Sequence, residues 1–192
     1  RYVGIDLSPE LIQKARQYNR SLRAHFYVGN ITKPLPYVKE YPVKQNMDHC
    51  FVILALQNLK DFGLVFRNAA YALKTGGRLW VVLNHPAFRI PKHSHWVDNY
   101  KHKTRIRQIE RYMTPTEISI QMNPGKKEQS DITYSYHHPI QDYIKELRKF
   151  GFVIDDLEEW VSDKKSVGKH ASEENFARLE FPLFLLIGAT KL

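Results

Sequence analysis

The chain has 192 residues, 43% hydrophobic and 12% aromatic, which is enough for one domain with its own core and too apolar for a disordered segment. Its longest apolar runs, 51–56 and 181–187, fall far short of the ~20 residues a membrane-spanning helix needs, and no signal peptide is visible. The net charge of +9, from 29 Lys and Arg against 20 Asp and Glu, means an anionic partner must be considered. The single cysteine, Cys50, excludes an intramolecular disulfide and fits a reducing cytoplasm.

Tyr2-Val3-Gly4-Ile5-Asp6 reads as a buried strand that stops on an acid, and Ser8-Pro9 supplies the cap and first turn of a helix over 9–19. Leu11, Ile12, Ala15 and Tyr18 form its expected inner face. A short strand at 24–28 ends on Gly29-Asn30. Three prolines, Pro34, Pro36 and Pro42, predict a loop over 32–46. A strand at 48–54 follows, then an amphipathic helix at 62–73 stopped by Lys74-Thr75-Gly76-Gly77. Residues 78–84 read as a strand buried on both faces.

From His85 to His138 this rhythm breaks for 54 residues, too long for a simple connection, so 85–138 is expected to be an insertion or lid. Alternating runs, Ile118-x-Ile120-x-Met122 and Ile132-x-Tyr134-x-Tyr136, are expected to pair as a hairpin. Regularity returns with a helix at 139–150, Gly151 as its stop, a strand at 152–160, a loop at 161–175 and a last strand at 179–190. The alternation predicts a mainly parallel α/β sheet with helices on both faces.

An acid at the carboxyl end of a parallel strand lies where open α/β sheets bind ligands, and a carboxylate can accept from both hydroxyls of a ribose. That is the functional reading of Asp6; the alternative is a solvated turn residue. No strand and no glycine-rich turn precede Tyr2, so these residues are expected to follow an amino-terminal piece. Seven Lys and Arg (Arg89, Lys92, Lys101, Lys103, Arg105, Arg107, Arg111) stand in 89–111 against Asp98 and Glu110, interleaved with Trp96 and Tyr100 and followed by Tyr112. Such a segment holds an acidic small molecule, binds nucleic acid, or is a solvated face. Neither His93-x-His95 nor His137-His138 comes with the Cys or carboxylate spacing of a metal site, so no metal is expected. His85, His137 and His138 are candidate acid–base groups, each equally readable as a satisfied structural histidine.

In order, Val3-Gly4-Ile5-Asp6-Leu7-Ser8, Phe26-Tyr27-Val28-Gly29-Asn30-Ile31, Met47-Asp48-His49-Cys50-Phe51-Val52 and Ala72-Leu73-Lys74-Thr75-Gly76-Gly77-Arg78-Leu79 resemble the second to fifth strands of a class I S-adenosylmethionine-dependent methyltransferase of the bacterial small-molecule type. Tyr136-His137-His138-Pro139-Ile140 and Lys149-Phe150-Gly151-Phe152 resemble its sixth helix and strand. The resemblance implies a Rossmann-like, mostly parallel sheet with an antiparallel last strand, and without the family's first strand and helix. It implies S-adenosyl-L-methionine held by Asp6, Leu7, Asn30, Ile31, Leu54 and Gln57. It also implies a small organic acceptor; the 85–138 segment is expected to shape its site, with Arg89, Trp96 and Tyr112 as contacts if the acceptor is anionic or aromatic. Asn30 stands where many relatives carry Asp, and Gly-Asn is also an ordinary turn dipeptide. The rival readings are an RNA methyltransferase using the basic segment and a non-catalytic binding module or inactive remnant. Methyl transfer from a sulfonium is an in-line displacement needing mainly alignment and a dry pocket, so no catalytic triad is required.

Overall fold

The computed structural model describes residues 1–35, 43–99, 101–102, 104–121 and 132–192. Pro36 and Pro42 of the proline-rich stretch, Tyr100 and Lys103 of the basic segment and Met122 of the alternating run lie outside the described residues.

Strand β1 (Tyr2–Asp6) runs parallel to β2 (Ala24–Val28), in register from Tyr2 opposite Ala24 to Asp6 opposite Val28. Between them lies α1 (Pro9–Tyr18), whose Ser8 side chain accepts from the Leu11 N–H. Only Ile12 of its expected inner face is buried; Leu11 and Tyr18 are exposed.

The larger sheet has the order β3-β4-β10-β9: β3 (Met47–Ile53), β4 (Leu73–Asn84), β10 (Phe184–Lys191) and β9 (Phe152–Trp160). β3 and β4 are parallel, and β10 is antiparallel to both its neighbours, as expected of the last strand. Among the described residues no ladder joins β1 to β3, so the sheet is interrupted between them. α2 (Gly63–Ala72) and α3 (Ile140–Lys149) cover one face, where Val65, Phe66, Tyr143 and Leu147 meet Leu79, Val81, Leu83, Phe152, Leu185 and Ile187. β4 is therefore buried only on alternate residues, with Trp80 and Val82 partly exposed, and not on both faces.

Lys74-Thr75-Gly76-Gly77 does not cap α2, which ends at Ala72, before the expected stop and without a basic last turn. Leu73 is already extended, and the glycines form an irregularity inside β4: the partner register jumps from Met47–Leu73 to His49–Arg78, with Gly76 at φ +77. The orphaned end of α2 is satisfied from far away, because Lys191 Nζ donates to the Ala70 and Leu73 carbonyls (2.5 and 2.8 Å).

The 85–138 segment contains two hairpins. β7 (Thr116–Gln121) and β8 (Ile132–His137) pair as expected, with Ile118 opposite Ser135. β5 (Ser94–Asn99) and β6 (Thr104–Ile109), the second pair, carry no clear alternation in the sequence. A helix, α4 (Ala171–Glu180), replaces the expected end of the 161–175 loop and the first residues of the last strand, which begins at Phe184, after Pro182. Its exposed Phe176 and Leu179 are why no amphipathic signal marked it.

Candidate functional site

The carboxyl ends of β1 and β2 lie side by side. Gly29 N–H donates to the Asp6 carbonyl (2.9 Å), which brings Asn30 next to the acid. The Asp6 side chain is exposed, and its Oδ1 accepts from the Ser8 N–H (2.8 Å), which fixes the rotamer at the mouth of the sheet. Leu7 beside it is also exposed. Asn30 is an Asx turn: its Oδ1 accepts from the Thr32 N–H (2.9 Å) and hydroxyl (2.7 Å). Its amide nitrogen, not its oxygen, is therefore the group that could meet a ligand. The Ile31 side chain packs on the core instead, and its carbonyl accepts from Asn68 Nδ2.

Asn68 was not singled out from the sequence. It is buried on the inner face of α2 and clamps the chain after β2, donating at 2.7 Å to the carbonyls of both Ile31 and Lys33. The signal was available: an asparagine at the i, i+3, i+4 spacing of Val65, Asn68 and Ala69 cannot be buried unpaired. This clamp ties the β1–β2 pair to the larger sheet's helix.

At the end of β3 the backbone turns sharply. Leu54 has φ +51, a conformation costly for a branched aliphatic residue. Its carbonyl accepts from Gln57 Nε2 (2.8 Å), while Gln57 Oε1 is buried without a hydrogen-bond partner among the described residues. Such an acceptor is what a ligand N–H or O–H would satisfy.

The histidines differ in what is already spent. The Ala87 N–H donates to His85 Nδ1 (3.2 Å), so the ring proton sits on Nε2 and is donated to Glu159 Oε1 (2.7 Å). His85 is 1% exposed with both nitrogens engaged; Glu159, 74 residues away, carries no sequence signal for the pairing. His137 donates from Nε2 to the Tyr112 carbonyl (2.7 Å), which leaves the lone pair on Nδ1. His138 lies 3.8 Å from Asp142 and packs edge-on to Phe62. Burial pushes the pKa of all three below the usual histidine value, so each ring is neutral at pH 7.

The three acceptor candidates have different partners. Trp96 stands edge-on to Phe181 (5.3 Å) and beneath Arg107, and Arg89 follows β4 with its N–H on the His85 carbonyl (2.8 Å). Tyr112 has other partners: its hydroxyl accepts from Ile140 N–H (3.2 Å) at the start of α3. Among the described residues no group of three or more His, Cys, Asp or Glu comes together as a metal site would require.

The fold and this rim define a class of protein, and a family model described as a methyltransferase domain matches residues 1–137. The chain belongs to that family. Its fold is that of an S-adenosylmethionine-dependent methyltransferase from Mesorhizobium loti, with a TM-score of 0.73 at 22% identity, covering 98% of this chain and 80% of that one. A structure from Listeria monocytogenes, described as a candidate enzyme of the same kind, matches with a TM-score of 0.72 at 21% identity over 99% and 79% of the two chains. The glycopeptide N-methyltransferase MtfA, solved with S-adenosylmethionine, matches with a TM-score of 0.56 at 12% identity over 99% and 77%. Comparison with curated proteins gives no sequence match.

Proposed function

We propose that the chain transfers a methyl group from S-adenosyl-L-methionine to a small organic acceptor held under the 85–138 segment, in a reducing cytoplasm. The observation that carries this reading is Asp6: an exposed carboxylate, fixed by Ser8, at the end of a parallel strand and beside the Gly29-Asn30 turn. Charge-assisted hydrogen bonds from two ribose hydroxyls fit that group. Gln57 Oε1 adds a buried acceptor at the third strand end.

The donor's sulfonium supplies the methyl group and departs as a neutral thioether. The protein's share is alignment, exclusion of water and, for a hydroxyl or amine acceptor, removal of a proton. His137 is the best-prepared base of the three histidines, because its Tyr112 contact sets the tautomer and leaves Nδ1 as the acceptor. His85, with both nitrogens occupied, instead ties the end of β4 to β9.

A small acceptor is favoured over RNA because the basic segment spends charge internally. Arg105 pairs with Asp98 and Glu174, each at 3.1 Å, so its charge is already met by acids. RNA binding would need a continuous basic surface. Calorimetric titration with S-adenosylhomocysteine of the protein carrying a strand and glycine-rich turn ahead of Tyr2, followed by an acceptor screen, tests the proposal. Absence of binding by that protein at millimolar ligand, or turnover restricted to RNA with steep salt dependence, would overturn it.

A further inference from the structure

Arg107 is the least expected charge in the molecule. Its guanidinium is half-buried and locked: Nε donates to the Phe88 carbonyl (2.9 Å), Nη2 to the Ser94 carbonyl (3.1 Å), and its central carbon lies 5.0 Å from the centre of the Trp96 ring. Two neutral carbonyls and an aromatic face orient the fork without neutralising it, and they leave further N–H groups unspent. Arg105, two residues earlier on the same strand, shows the usual solution, with a carboxylate on either side. Among the described residues no carboxylate forms an ion pair with Arg107 or with Arg89.

Arg89 adds to the imbalance. It is exposed, its backbone N–H donates to the His85 carbonyl just beyond β4, and it directly follows Phe88, the residue whose carbonyl takes the Arg107 Nε–H, so the two arginines stand on one turn. Burial, and then Arg89, both press the Arg107 pKa downward. Two guanidiniums on one turn without an acid cost free energy, and an anion bound at that turn relieves it. Arg89 lies just beyond the carboxyl end of β4, the side on which open α/β sheets take their ligands, and the Phe88 contact brings Arg107 of β6 to the same turn.

We propose that Arg89 and Arg107 form an oxyanion subsite, and that the methyl acceptor carries a carboxylate or phosphate group that docks there. This rests on the acceptor site proposed above. Trp96 holds the Arg107 plane, so it is a positioning residue for the subsite.

The test uses the whole protein and three titrants in parallel: inorganic phosphate, acetate, and sodium chloride at matched ionic strength. The Arg107 Nε–H, tethered to Phe88, gives the readout as a nitrogen-15 resonance. Saturable movement with phosphate or acetate, but not with chloride, is expected, and the tighter of the two names the group. Because Arg107 also braces the 88–94 turn, the deciding variant is Arg89→Gln, whose side chain braces nothing. It is expected to weaken the anion about tenfold while changing S-adenosylhomocysteine affinity by less than about twofold. If neither anion moves the resonance beyond chloride, or Arg89→Gln binds as the parent does, the subsite falls. If S-adenosylhomocysteine binds while both anions fail, only the subsite falls and the methyltransferase reading stands. If the anions bind while S-adenosylhomocysteine does not, the methyl-transfer reading falls, and the assignment of the subsite to an acceptor falls with it.

Discussion

At the scale of single residues, the turn contact of Asp6 and its proposed ligand contact can be separated by substitution. Its Oδ1 organises the turn through Ser8 N–H, and its charge is available to a ligand. Asp6→Asn keeps an oxygen for the turn and removes the charge; Asp6→Ala removes both. Both are expected to weaken S-adenosylhomocysteine binding, the alanine variant by about 1.5–3 kcal/mol, with a cooperative fold retained. Calorimetry and circular dichroism check the two halves of that statement, and an unchanged dissociation constant would leave Asp6 a turn residue. Cys50 offers a second residue-scale test. Burial pushes its thiol up to about 11, so on the order of a thousandth of it is thiolate at pH 8. Its reaction with a disulfide reagent at that pH should be far slower than that of free cysteine until the protein is unfolded.

Among the secondary-structure elements, two glycines illustrate opposite demands. Gly76 has φ +77 with open space where a Cβ would point, so Gly76→Ala is expected to cost about 1–2 kcal/mol through backbone strain alone. Gly188 has no such conformational need, yet a Cβ there would lie 2.7 Å from Asp156 Cβ and 3.0 Å from the Trp80 ring, so Gly188→Ala should destabilise by crowding. Urea midpoints of the two variants measure both. The β5–β6 hairpin is framed by two left-handed residues, Lys92 (φ +61) and Arg111 (φ +55), and is latched to α4 by Arg105 and Glu174. Read as part of a lid, it should exchange its amides faster than 79–83 of β4. Glu174→Gln should quicken exchange across β5 and β6 while leaving β7 and β8 as they were; equal protection throughout would make the segment a rigid subdomain.

For the molecule as a whole, the three neutral histidines set an acid limit. Each has a folded-state pKa below its unfolded value of 6.5, so the unfolded chain binds more protons at mildly acid pH. Their contribution to stability is complete above about pH 6.5 and is lost as the pH falls from there through the folded values. Stability from urea unfolding should be level between pH 7 and 8 and then fall with a slope of up to about 1.4 kcal/mol per pH unit for each proton taken up. His85→Gln, which gives up the titration and the Glu159 contact, should be less stable at pH 7.5 and show a shallower acid slope. Ligand binding works at the same scale: S-adenosylhomocysteine at a hundredfold excess over its Kd should add about 2.7 kcal/mol.

Local pattern was enough to order most of this molecule. Strand and helix periods placed β1, α1, β2, β3, α2, α3 and β9 within a residue or two, because each has a continuous apolar run or stripe and clear stop signals. The strand-end places of Asp6 and Asn30 were legible for the same reason: both interrupt apolar runs. α4 escaped, since a helix that leaves Phe176 and Leu179 in solvent has no periodic inner face to read. So did the strand start at Leu73, where a turn-like glycine pair became a bulge once β3 paired alongside. What tertiary structure alone decided is which polar atoms are already committed. His85 meets Glu159 across 74 residues, Asn68 holds Ile31 across 37, and Tyr112 turns its hydroxyl to Ile140 across 28. Arg105 finds acids whereas Arg107 finds carbonyls, although the two stand two positions apart on one strand. A side chain's type and spacing are local properties, but its hydrogen-bond partner is supplied by whatever the packed chain brings within about 3 Å, and that is settled only when the core closes.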